Sequence, residues 1–190
     1  TRGGHKLPQN LTNREQFEVA FEFKASLLLE LQELFKVKVK SYNAVNCNHS
    51  ADLDYIVNSS LKTYVEKLNS NIKVTNIESF IGHYKHYNHT FAILHGKDEK
   101  HLKFGLKPKL DDKGKTLLED YVRQNDLNGC ITIEKGDSHV QLIDECTSKV
   151  FNYNNYLAFS PPSGWVQHNF GSSKSGFNLM IINSEKNDKP

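Results

Sequence analysis

Methionine, cysteine and long apolar runs are all scarce in this chain of 190 residues. Its one methionine is Met180, so the sequence does not open at an initiator and reads as the C-terminal part of something longer. The three cysteines, Cys47, Cys130 and Cys146, stand at unrelated spacings. An odd, scattered set argues against a secreted disulfide framework and for a reducing, cytoplasmic setting. With no Cys-x-x-Cys pair, a zinc ribbon is disfavoured. No apolar stretch approaches the roughly 18–20 residues of a membrane span, and no signal peptide is visible. A glycine-rich phosphate loop and a Gly-x-Ser-x-Gly elbow are also missing, which removes two common nucleotide and hydrolase signatures. The net charge is +2 with histidines neutral, so no strong field demands nucleic acid or forbids it.

What remains is polar but sufficient for a core, with 37% hydrophobic and 24% charged residues. The length favours one domain over 1–190, with residues 1–11 as a loop and 184–190 as a polar tail. Thr12 to Phe35 reads as an amphipathic helix opened by the capping box Thr12-Asn-Arg-Glu15. Phe17, Ala20, Phe21, Leu27, Leu28, Leu31, Leu34 and Phe35 recur at helical spacing and predict one buried stripe. Leu53 to Leu68 predicts a second helix and Thr116 to Asp126 a third, shorter one. Strands are expected at 37–45, at two places in 72–87, and at 90–94, 130–134, 139–144 and 149–153. A closing hairpin is expected from 165–170 and 177–183. The alternation of the two patterns predicts an α/β fold with sheets flanked by helices.

Three clusters of metal-type residues each follow a strand-like run. Asn48 and His49 follow 37–45, His95 follows 90–94, and Asp137 and His139 follow 130–134. Ligands in layered α/β folds gather beyond strand ends. Asn, His and Asp together suit a borderline divalent cation such as manganese, zinc or iron. Gly96, next to His95, leaves room for a ligand. Asp98, His101 and Lys103 lie in the same lysine-rich loop, where Asp98 and His101 read either as solvated residues or as partners that orient a ligand, and all three as candidates to face substrate. The run Lys103, Lys107, Lys109, Lys113 and Lys115 reads either as a solvated face or as a surface for phosphate. His83, His86 and His89 precede an expected hairpin turn and read as exposed surface.

The order strand–Asn-His, strand–His-Gly, strand–Gly-x-x-His resembles the calcineurin-like metallophosphoesterases, in particular a phage-encoded group. The segments 1–10, 94–101 and 165–171 are similar to that group. The resemblance implies a sandwich of two mixed β-sheets flanked by helices, incomplete at the N-terminus. It implies two divalent metal ions held in part by Asn48, His95, Asp137 and His139, with His49 as the catalytic residue at the leaving group. Cys47, Ser50 and Asp137 stand where the family motifs carry glycine, an acid and histidine. The family's first two motifs have no counterpart before Thr12. The resemblance therefore implies a phosphodiesterase, nuclease-like, whose site and sheet are completed by an upstream segment or partner chain. Phosphate esters, nucleic acid among them, would be the substrates, in the host cytoplasm if the protein is viral. The alternative is a degenerate, inactive relative that binds a protein partner.

Overall fold

The computed structural model describes residues 11–45, 52–97, 105–159 and 174–182. They fall into two compact units, one ending at Ser79 and the other beginning at Phe80.

The first unit is built from α1 (Asn13–Phe35), β1 (Val39–Ala44), α2 (Leu53–Leu68) and β2 (Ile72–Ile77). The capping box is formed. Thr12 Oγ1 accepts from the Glu15 amide at 3.3 Å, and Glu15 Oε2 accepts from the Thr12 amide at 2.7 Å. Lys36, in the left-handed region at φ 52°, ends the helix. β1 and β2 run parallel, from Val39 opposite Ile72 to Ala44 opposite Ile77, with α2 as the crossover. Ala25, Leu28, Leu61, Val65, Ile72 and Val74 form the core. The expected stripe on α1 was too wide: Leu27, Leu34 and Phe35 are exposed. At 100° per residue, the line through Phe17, Phe21, Lys24 and Leu28 faces inward. Leu27 and Leu34 fall to one side of it.

The second unit holds β3 (Gly82–His86), β4 (His89–Leu94), α3 (Asp112–Gln124), β5 (Cys130–Lys135), β6 (Leu142–Asp144) and β7 (Asn152–Asn155). Its sheet has the order β3-β4-β5-β7-β6. The three central strands are parallel, and each outer strand joins them antiparallel. β3 and β4 are linked through Tyr87 and Asn88, with Tyr87 at φ 52°. Alternate residues Ala92, Leu94, Ile131, Ile133 and Tyr153 pack with Leu118 and Val122 of α3 and with Leu106 and Leu110.

The class is therefore α/β, with helices and a mixed sheet. Most expected elements are present with shifted ends. α3 starts at Asp112, not Thr116, because Asp111 caps it and accepts from the Gly114 amide at 2.9 Å. Gly114 looks like a breaker but sits in the first turn, where Leu106 and Leu110 crowd its missing side chain. The expected closing hairpin falls partly outside the described residues, at 165–170 and 183. Its described part, 177–182, carries no strand. Phe177, Leu179 and Ile181 are all exposed there, so no buried face fixes a register.

Candidate functional site

The parallel ladder ends on one rung, where Leu94, Lys135 and Asn155 lie side by side. The segments that leave it are His95-Gly96, Gly136 to Val140, and Tyr156. Two bonds carry the ladder one step further: Gly136 N to Leu94 O at 3.4 Å, and Tyr156 N to Lys135 O at 2.9 Å. Beyond them His95 Nε2 lies 3.3 Å from Asp137 Oδ1, with both side chains about one-fifth exposed (19% and 17%). Two of the residues singled out from sequence, 42 positions apart (137 minus 95), are thus brought together by strand register.

The turn that carries Asp137 is unusual. Asp137 (φ 65°) and His139 (φ 54°) both occupy the left-handed region. Each such residue costs about 1–3 kcal/mol, less for Asp and His than for branched residues. The structure offsets this with a buried lysine. Lys135 has no exposed surface. Its Nζ donates to Gly136 O at 2.8 Å, Ser138 Oγ at 2.5 Å and Asn155 Oδ1 at 2.7 Å. Asn155, also fully buried, passes a bond from Nδ2 to Val140 O. Burial lowers the Lys135 pKa to about 8, and the nearby Asp137 opposes that shift.

Glu134 precedes Lys135 and faces the opposite side of the sheet. It accepts from the Tyr156 hydroxyl at 3.0 Å. Burial raises its pKa, and the Tyr156 bond works against the rise. The Tyr156 phenol is pushed up to about 12, by burial first and then by Glu134.

Asn48, His49, Asp98, His101 and Lys103 lie outside the described residues. His139 is in the same turn as Asp137, yet among the described residues no three His, Cys, Asp or Glu side chains form a metal-binding group. The space beside Gly96, read from sequence as room for a ligand, is taken by the stem of Lys135. Of the basic run, Lys107 pairs with Asp111 at 3.0 Å and Lys115 with Glu119 at 3.8 Å. The first pair lies just before α3 and the second within it, so both are local contacts. His83 Nδ1 is 2.8 Å from the Tyr121 hydroxyl, while His86 and His89 face each other beside the hairpin turn.

Sequence reasoning passed over the buried Lys135 and the half-buried Lys24. In the first unit, Lys24 Nζ reaches Asn58 Oδ1 at 2.5 Å and Asn43 Oδ1 at 3.0 Å, tying α1 to α2 and β1. Burial lowers its pKa, opposed by Asp54. The signals were present. Lys24 stands on the Phe17, Phe21, Leu28 line, and Lys135 falls on the inward phase of Ile131 and Ile133.

The His95–Asp137 spacing limits what the pair can do. A charge-assisted hydrogen bond is usually shorter, about 2.7–2.9 Å. Two ligands each about 2.1 Å from one cation stand about 3.0 Å apart at a right angle and about 3.4 Å apart in a tetrahedron. The observed 3.3 Å falls within that interval, so the spacing of the two atoms is compatible with a shared divalent cation. They also suit an imidazole oriented by a carboxylate. No protein-family model, curated protein or solved structure matches this chain.

Proposed function

We propose that this chain carries part of a metal-dependent phosphoesterase site. The carrying observation is the 3.3 Å approach of His95 Nε2 to Asp137 Oδ1 beyond the ends of parallel strands. In this reading His95 and Asp137 hold a manganese, zinc or iron ion, His139 and Asn48 add ligands, and His49 protonates the leaving group. A second ion and the carboxylate shared between the two come from an upstream segment or partner chain. The fold is then a calcineurin-like sandwich, and the substrates are phosphodiesters, with nucleic acid among them. When bound, the ions supply a water of lowered pKa and neutralise charge on the attacked phosphate.

The test is binding before turnover. Equilibrium dialysis against Mn²⁺ is expected to show binding by the wild-type chain and at least about tenfold weaker binding by Asp137→Ala. Equal binding by the two overturns the metal reading. Bound Mn²⁺ without cleavage of an aryl phosphodiester, even with the upstream segment added, assigns the chain to the alternative: an inactive module that binds a protein partner.

A further inference from the structure

We propose that Lys135 is a positioning residue, whose buried ammonium fixes the turn at Gly136 to Ser138 and thereby holds Asp137 against His95. The inference rests on reading that pair as the working part of the site.

Three acceptors from three directions converge on Lys135 Nζ: a backbone carbonyl, a hydroxyl and a side-chain amide, at 2.8, 2.5 and 2.7 Å. An ammonium has three N–H donors and no acceptor, so this set uses all of them. That leaves Lys135 no donor for substrate and no exposed surface from which to act as nucleophile or base. Its work is internal. Gly136 O and Ser138 Oγ lie on either side of Asp137, so the ammonium clamps both neighbours of the acidic residue. The third bond, to Asn155, anchors the clamp to β7, and Asn155 extends it to Val140 beyond the turn. On the other side, Gly96 lets the lysine stem pass against the residue that follows His95. A single cation is thereby joined to the turn bearing Asp137, packed beside the segment bearing His95, and fixed to β7, the neighbour of β5 on the side away from β4. It also stabilises a turn with two non-glycine residues in the left-handed region, Asp137 and His139. A neutral side chain of this length could not donate to all three acceptors.

The experiment uses Lys135→Met, which keeps the stem and removes the charge, and Ser138→Ala, which removes one arm of the clamp and keeps the lysine. Ile131→Val serves as a core control that touches none of the clamp. The first readout needs no metal: the imidazole nitrogen shifts of His95 and the amide exchange of residues 136–139 by NMR. Both clamp variants are expected to shift the His95 ring signals and speed exchange in the turn, while amides of Phe91 to Ile93 and Ile131 to Ile133 stay protected. The control is expected to leave the His95 ring unmoved. The second readout is Mn²⁺ affinity, expected to fall about 10- to 100-fold in Lys135→Met. Unchanged His95 signals in Ser138→Ala and in any folded Lys135→Met overturn the proposal. If Lys135→Met fails to fold, the Ser138→Ala ring shift alone decides. If the ring signals shift but wild type binds no Mn²⁺, the positioning role stands and the metal reading fails.

Discussion

A side-chain carbon placed on Gly96 would lie 2.4 Å from Cε of Lys135. Glycine and lysine share one space, and only the pair fills it. Gly96 also sits at φ 111°, where L side chains are strained. Gly96→Ala is therefore expected to destabilise the fold by about 1–3 kcal/mol. Gly136, at the end of the adjacent strand, meets nothing closer than His95 O at 3.6 Å. Gly136→Ala is expected to stay within roughly 1 kcal/mol of wild type. Urea midpoints of the two variants, measured side by side, check the contrast.

The first helix offers a local test. Thr12 and Glu15 satisfy each other's backbone amides at the start of α1. Thr12→Ala is expected to cost about 1 kcal/mol. Adding Glu15→Ala should cost less in that background than alone, because the reciprocal partner is already lost. A double-mutant cycle by urea denaturation measures the coupling.

This helix also shows where the sequence was legible. The capping box and α2, Leu53–Leu68, were placed to the residue, because hydroxyl–carboxylate spacing and apolar period are local properties. The position of β5 followed in the same way from its Ile-Thr-Ile run. The ends of β6 and β7 did not, since they depend on which strand lies alongside. The candidate site was half legible. His95 and Asp137 carry their chemistry in their names, and strand ends gave their context. The clamp did not show, because a lysine is read as solvent-facing unless its phase in the strand is weighed above its charge. Nothing local announces that Asn155 will wait on the neighbouring strand.

Lys24 gives the first unit its own prediction. Its ammonium bonds Asn58 on α2 and Asn43 on β1. Lys24→Met keeps the packing but leaves two partly buried amide oxygens without that donor. The expected loss is about 1–3 kcal/mol. Hydrogen exchange should show it first in the amides of β1 and β2, with the sheet of the second unit unaffected.

Glu134 predicts a pH dependence. Burial holds its folded pKa above the ordinary value of 4.5. A raised folded pKa favours the protonated form in the folded state. Its contribution is fully present below 4.5 and is lost as pH rises through the folded value. Glu134→Gln keeps an acceptor for the Tyr156 hydroxyl and cannot ionise. The variant is therefore expected to gain on wild type as pH rises from acid to neutral. Urea unfolding of both proteins at the two ends of that range checks the sign. A gap that stays constant, or narrows in the other direction, refutes it.

Glu134 and Lys135 are consecutive, opposite in charge, and turned to opposite sides of one strand. Among the described residues each has its partners on its own side: the Tyr156 hydroxyl for the carboxylate, and Gly136, Ser138 and Asn155 for the ammonium. A shift of β5 by one residue would exchange their sides. The carboxylate would then enter the side of the sheet that holds Leu118 and Tyr153, and the ammonium would lose its acceptors. A slip would misplace the hydrophobic residues of β5 and this charge pair together. Adjacent opposite charges thus act as a key that fits one alignment of β5, through the same contacts that shape the turn.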